Sequence, residues 1–288
     1  MTDLAIAPVL PVRRRRVRAP SPIIAVAILI VLVVVVLALF GQWLEPHPPQ
    51  LQMLLDVNQP PSHSHWFGTD ALGRDISSRV MSGARMALLG PLVVAVTGAV
   101  LSSLLGIASG YFGGAIDMVI QRYVDFMFAL PGLLIAIVVV GVVGGGYWLA
   151  VAVLSLLNFS GDVRIVRGAV IEQRPLPYVE AARSLGVPRR RIMYVHILRN
   201  IVAILFANAA LDFALALVAL SGLAFLGLGS QLGSAEWGRM LAENKDILFT
   251  NPAAALAPGV AIVLVATSVT LIGDWIYDRF AYSGRSGR

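Results

Sequence analysis

The feature that most restricts this chain is an unbroken apolar run from Ile23 to Phe40. At about 1.5 Å rise per residue, a helix of that length nearly matches the roughly 30 Å hydrocarbon core of a bilayer. Further apolar spans are expected near Met86 to Ser109, Ile116 to Val143, Tyr147 to Val166, Ile201 to Leu223 and Ala254 to Tyr277. Composition agrees: 58% of residues are hydrophobic, only 13% are charged, and mean hydropathy is +0.81. These values are too apolar for an ordinary soluble domain. The reading is an all-α integral membrane protein with about six transmembrane helices and both termini in the cytoplasm. The absence of cysteine excludes disulfides and thiolate metal sites.

The formal charge of +6 invites a nucleic-acid reading, but the basic residues lie beside apolar spans, and Lys245 is the single lysine. A positive-inside bias explains them better, and no nucleic-acid partner is expected. Arg13 to Arg16 and Arg18 precede the first span like a signal-peptide n-region. The span exceeds the usual 7 to 15 residues or so and lacks a persuasive cleavage site, so an uncleaved anchor is expected. Residues 1–22 then form a basic cytoplasmic arm, 23–43 the first helix, and 44–85 an external loop with short surface helices. Residues 86–277 form a five-helix core with a cytoplasmic loop at 168–199, and 278–288 a cytoplasmic tail. Arg164, Arg167, Arg174, Arg183, Arg189, Arg190, Arg191 and Arg199 fall in or beside the 168–199 loop, which supports its inside placement. Arg74, Arg79, Arg85, Arg239 and Lys245 on the outside are interspersed with Asp70, Asp75, Glu236, Glu243 and Asp246. Glycines at four-residue spacing, Gly106, Gly110 and Gly114, then Gly141 and Gly145, favour close approach of helix backbones.

Catalytic signatures are missing: there is no Gly-x-Ser-x-Gly elbow and no His-Glu-x-x-His helix. Lys245 has no preceding glycines, so a phosphate-cradling loop of the Gly-x4-Gly-Lys type is excluded. His63-Ser-His65, near His47 and Asp70, is the best remnant of a metal set. A wet, proline-rich loop usually holds such residues without a ligand, and no metal is assigned.

The polar stretch from Tyr178 to Asn200 stands apart within this apolar chain. Glu180 near the start of a short helix suits its positive end, Gly186 suits a left-handed stop, and Pro188 suits the opening of a second helix. Val179, Ala182 and Leu185 are expected on one apolar face and Ile192 and Val195 on another. Physics alone leaves two readings open, a docking hairpin or an interfacial amphipathic hairpin held to anionic lipid by arginines. Asn208 and Asp212 share one face of the fifth apolar span, where a charge is costly. That face is expected to line a path or an inter-subunit contact, or to form a structural hydrogen bond to a neighbouring helix.

Glu180-Ala181-Ala182, then Gly186, Ile192 and His196, resemble the Glu-Ala-Ala loop of permease subunits of bacterial ATP-binding-cassette importers. Trp66-Phe-Gly-Thr-Asp-Ala-Leu-Gly-Arg-Asp75, Ser78-Arg79 and Gly83-Ala-Arg85 are similar to the external segment of the second permease of dipeptide and oligopeptide importers. Arg122-Tyr-Val-Asp125, Leu130-Pro131, Leu223 to Gly229, Trp237-Gly238 and Gly273-Asp274 are similar to its other landmarks. The chain departs from that pattern at Arg199, where proline is usual, at Ala224, where serine is usual, at Leu220, where an acidic residue is familiar, and at Tyr277-Asp278.

The resemblance implies a type I importer permease core and a transport subunit that is not itself an enzyme. Glu180, Ala181, Ala182, Gly186, Ile192 and His196 would form the coupling segment, and Asn208 and Asp212 a possible translocation path. Implied partners are a homologous permease in a heterodimer, two ATPase subunits that bind ATP and Mg, an extracytoplasmic substrate-binding protein and the lipid bilayer. This chain itself would carry no cofactor. The implied activity is import of dipeptides or oligopeptides by alternating access, with nickel, glutathione or haem as alternative cargo. An ATP-independent channel is the reading that a coupling hairpin argues against.

Overall fold

Ser21 accepts the backbone N–H of Ile24 and Pro22 opens the first turn, so helix α1 (Pro22–Leu44) starts where the apolar run does. The computed structural model of the chain describes residues 21–285; the basic arm at Arg13 to Arg18 lies outside them. All regular structure among the described residues is helical apart from one isolated bridge between Thr69 and Asp75.

Helix α2 (Ile76–Phe112) is much longer than the span expected at Met86 to Ser109. The reason is local: Asp75 accepts the backbone N–H of Ser78 at 2.7 Å and caps the helix ten residues earlier. The segment expected to remain a loop to Arg85 therefore ends at Asp75. The span expected at Ile116 to Val143 divides into α3 (Gly114–Ala129) and α4 (Gly132–Val143), bent by 74°. Pro131 has no N–H to continue the ladder and forces Leu130 into extended backbone, φ −106° and ψ 131°.

Helix α5 (Tyr147–Gln173) leads to the short α6 (Pro177–Ser184). A single turn, α7 (Arg189–Arg191), passes through a π-helical segment (Ile192–Ile197) into α8 (Leu198–Phe225). Helix α9 (Trp237–Asn244) and a 3₁₀ turn (Lys245–Ile247) precede α10 (Pro252–Arg285), which runs into the segment expected as a tail. Among the described residues, five helices are long and apolar enough to cross a membrane, or six if α3 and α4 form one broken span. Their outward faces carry Leu29, Leu32, Val96, Val138 and Val263, all more than half exposed, which suits hydrocarbon.

The central seam is α2 against α5. A Cβ at Gly106 would sit 2.7 Å from Val166 Cβ, and one at Gly110 2.8 Å from the Arg167 carbonyl oxygen. Only glycine lets these backbones meet. Of the other expected glycines, Gly114 meets nothing within 4 Å, Gly141 makes only ordinary contact with Leu228, and Gly145 crowds Leu149 in the following turn.

Candidate functional site

The polar stretch folds as a hairpin at the end of the bundle where α2 finishes and α5 leads into α8. Gly186 has φ +72°, its N–H donates to the Arg183 carbonyl, and Val187 donates to the Ala182 carbonyl, both at 3.0 Å. This bonding satisfies the last carbonyls of α6 and turns the chain sharply. Pro188 then caps the next turn.

One side of the hairpin is packed into the bundle. Val179, Ala182, Ile192, Met193 and Ile197 are buried against Ile107 and Tyr111 of α2 and Val166 and Val170 of α5. The Arg183 guanidinium lies 5.3 Å from the centre of the Tyr111 ring, and the Tyr194 hydroxyl donates to the Leu104 carbonyl at 3.2 Å. The other side is open: Glu180, Ala181, Ser184, Leu185, Arg189 and Arg190 are exposed. The six expected coupling residues are thus divided. Glu180, Ala181 and Gly186 reach the surface, Ala182 and Ile192 hold the hairpin down, and His196 is half-buried.

Two apolar assignments are corrected. Leu185 is 83% exposed rather than packed with Val179 and Ala182, because the chain has already left helical geometry at that residue, with ψ 5°. Val195 is 52% exposed, because the wider π turn carries Met193 and Ile197 to the core instead.

At the opposite end of the bundle, the stretch before α2 is clamped to the connection between α8 and α10. Asp70 accepts from Arg74 Nε at 2.7 Å and Arg79 Nη1 at 2.6 Å. Glu243 of α9 accepts from Arg74 Nη2 at 2.7 Å and Arg79 Nη2 at 2.9 Å. Arg79 and Asp70 are almost wholly buried, a placement that requires such pairing. Burial works against the Glu243 charge, but the two guanidiniums and the Gly233 N–H outweigh it and hold the carboxyl below its usual range. In sequence these charges looked merely interspersed, because 164 residues separate Arg79 from Glu243.

Between the two ends, a groove of about 920 Å³ opens among α3, α4, α5 and α8, lined largely by apolar residues. Asp162 of α5 and Asp212 of α8 face each other in its wall, each less than a tenth exposed. Asp212 Oδ2 has no hydrogen-bond partner among the described residues. Asn208 lies one turn earlier, and its Nδ2 is also buried without a partner, but it does not line the groove. Asp162 escaped the sequence reading because its facing partner is fifty positions away in another helix. Arg164, paired with Asp125, and Phe128 stand at the same groove.

The histidines also regroup. His65 Nδ1 lies 2.9 Å from Asp75 Oδ1, and the His47 and His65 ring centres are 4.9 Å apart. His63 is exposed and Asp70 is committed to arginines, so the grouping around His63 and Asp70 that the sequence offered only as a remnant is not assembled.

The sequence profile described as "Binding-protein-dependent transport system inner membrane component" matches residues 102–282. The chain belongs to that family. This family member is an importer permease of the peptide subfamily, a multi-pass inner-membrane protein whose ATP hydrolysis resides in separate subunits. It is 36% identical over 242 residues to a probable D,D-dipeptide transport system permease protein of Escherichia coli K12, covering 84% of this chain and 81% of that protein. It is 39% identical over 221 residues to a dipeptide transport system permease protein of Alkalihalophilus pseudofirmus, covering 76% and 72% respectively. A glutathione transport system permease protein of Pectobacterium atrosepticum is 34% identical over 243 residues, covering 84% and 81%.

Proposed function

We propose that this permease forms half of a translocation path for dipeptides or oligopeptides, paired with a homologous permease, two ATPase subunits and an extracytoplasmic binding protein. The ATPase subunits bind ATP and Mg, both termini lie in the cytoplasm, and so does the Tyr178 to His196 hairpin. The observation that carries the reading is the two-sided build of that hairpin. Its inner face is anchored to α2, α5 and α8, while Glu180, Ala181 and Leu185 project from the bundle. An exposed leucine beside small and charged residues suits insertion into a groove on a partner.

Because the anchored side joins the same helices that wall the groove, a pull on the hairpin is transmitted as rigid-body motion of α5 and α8. Asp212 and Asp162 provide the polar lining that a peptide ammonium group would meet in an apolar wall, while Asn208, expected beside Asp212, lies one turn away and does not line the groove. The two dipeptide-system relatives favour peptide cargo, and the glutathione permease supports that tripeptide as the second reading. Nickel or haem remain the alternatives within the same machine.

The test is reconstitution of the complete complex with Glu180→Arg. The expected result is loss of substrate-stimulated ATPase and uptake with unchanged assembly. Wild-type coupling in that variant would overturn the assignment.

A further inference from the structure

The strongest feature outside the transport reading lies where the 44–75 segment meets the start of α2. One ring nitrogen of His47, one of His65 and a carboxylate oxygen of Asp75 lie within 4.8 Å of one another. Zinc–ligand distances of about 2.0–2.2 Å place the donors of one ion roughly 3–4 Å apart, so a small rotation of the half-buried His47 ring closes the set. Two further facts separate this cluster from a chance grouping. His47 Nδ1 is buried without a hydrogen-bond partner among the described residues. The second Asp75 oxygen, Oδ2, is held by the Ser77 and Ser78 hydroxyls, both at 2.6 Å, and the Ser78 N–H at 2.7 Å, which fixes the carboxylate while Oδ1 faces His65.

We propose that His47, His65 and Asp75 form a binding site for a borderline divalent transition metal, with zinc as its representative. Two imidazoles and one carboxylate match the donor set of zinc and its neighbours, while magnesium and calcium favour all-oxygen sites. Three protein donors leave a further position for water. The hydroxyl and amide bonds to Oδ2 are the outer contacts that orient a ligating carboxylate. The ion ties the chain just beyond α1 to the residue that caps α2. The assignment is independent of cargo and of the coupling hairpin.

The test uses the full-length chain purified in detergent without a histidine tag, stripped with a chelator and titrated with zinc chloride by calorimetry. Binding of one zinc ion per chain is expected, together with a zinc-dependent rise in the unfolding temperature. His47→Ala should weaken binding at least about tenfold, since altering even the outer contacts of a metal site costs roughly 10–100-fold. His63→Ala, at an exposed position outside the cluster, should bind as the wild type does. His47→Gln serves as the second variant if His47→Ala fails to fold. Absence of zinc binding to the wild type overturns the site. So does equal binding by the folded His47 variant, or an equal loss in His63→Ala.

Discussion

Two glycines show how differently a single residue can be required. Gly186 has φ +72° and nothing within 4 Å of an added Cβ, so Gly186→Ala should cost only the backbone penalty, about 1–2 kcal/mol. A Cβ at Gly238 would stand 2.0 Å from the Ser221 carbonyl oxygen, so Gly238→Ala must displace α9 from α8 and should destabilise more. Thermal unfolding in detergent checks the order. Gly186 was legible because its left-handed role is local to the polar stretch. Gly238 could be quoted as a landmark but not explained, since its constraint comes from a residue in another helix. Glu236 makes a third case. Burial pushes its carboxyl from 4.5 to about 7, against the lowering effect of the Arg239 and Gly238 N–H groups. The folded state therefore holds an extra proton between these values. Its contribution is fully present below pH 4.5 and is lost as pH rises through 7. Glu236→Gln should remove that part of the pH dependence, gaining up to about 3 kcal/mol relative to wild type at pH 8 compared with pH 4. Parallel unfolding curves for the two proteins across this range would refute it.

At the scale of elements, apolar length announced the membrane helices, whereas their interruptions needed tertiary or backbone detail. Leu130-Pro131 was visible in the sequence, but hydropathy is continuous across it, and only the extended Leu130 shows that the span is broken. The π segment left no compositional trace, because Ile, Met and Val suit either kind of turn. It placed Val195 outside and Met193 inside, against the expectation of regular helical spacing. The glycine pattern was informative only in part, since Gly106 and Gly110 meet α5 while Gly114 meets nothing. The α2–α5 seam supports the hairpin through Ile107, Val166 and Val170, so widening it should loosen the hairpin as well. Gly106→Val is expected to destabilise the protein by roughly 1–3 kcal/mol through overpacking. It should also increase protease cleavage at Arg189 to Arg191, beyond that of an equally destabilised variant in α1; equal cleavage in the two would refute the link.

At the scale of the molecule, the exposed hairpin joins the two helices that carry the facing carboxylates of the groove, but hairpin and carboxylates make separable demands on transport. In the proposed function Glu180 serves the coupling to ATP, whereas Asp162 and Asp212 serve whatever enters the groove. Asp212→Asn should therefore leave basal ATPase and complex assembly intact while raising the KM for uptake of a dipeptide with a free amino terminus. A hydrogen bond to a charged group is worth about 1.5–3 kcal/mol, which corresponds to a shift of roughly tenfold or more. Uptake of an N-acetylated dipeptide should change little, because it offers no ammonium group. Since Asp162 and Asp212 face each other, they should act on that group as one unit, and the loss in the double variant Asp162→Asn/Asp212→Asn should fall well short of the sum of the losses in Asp162→Asn and Asp212→Asn. A structural role for Asp212 predicts something else: lower unfolding temperature and reduced assembly, with equal loss for both dipeptides. Uptake assays of the two substrates across the four proteins in reconstituted vesicles distinguish these outcomes, and an unchanged free-amine KM in Asp212→Asn rejects the path role outright.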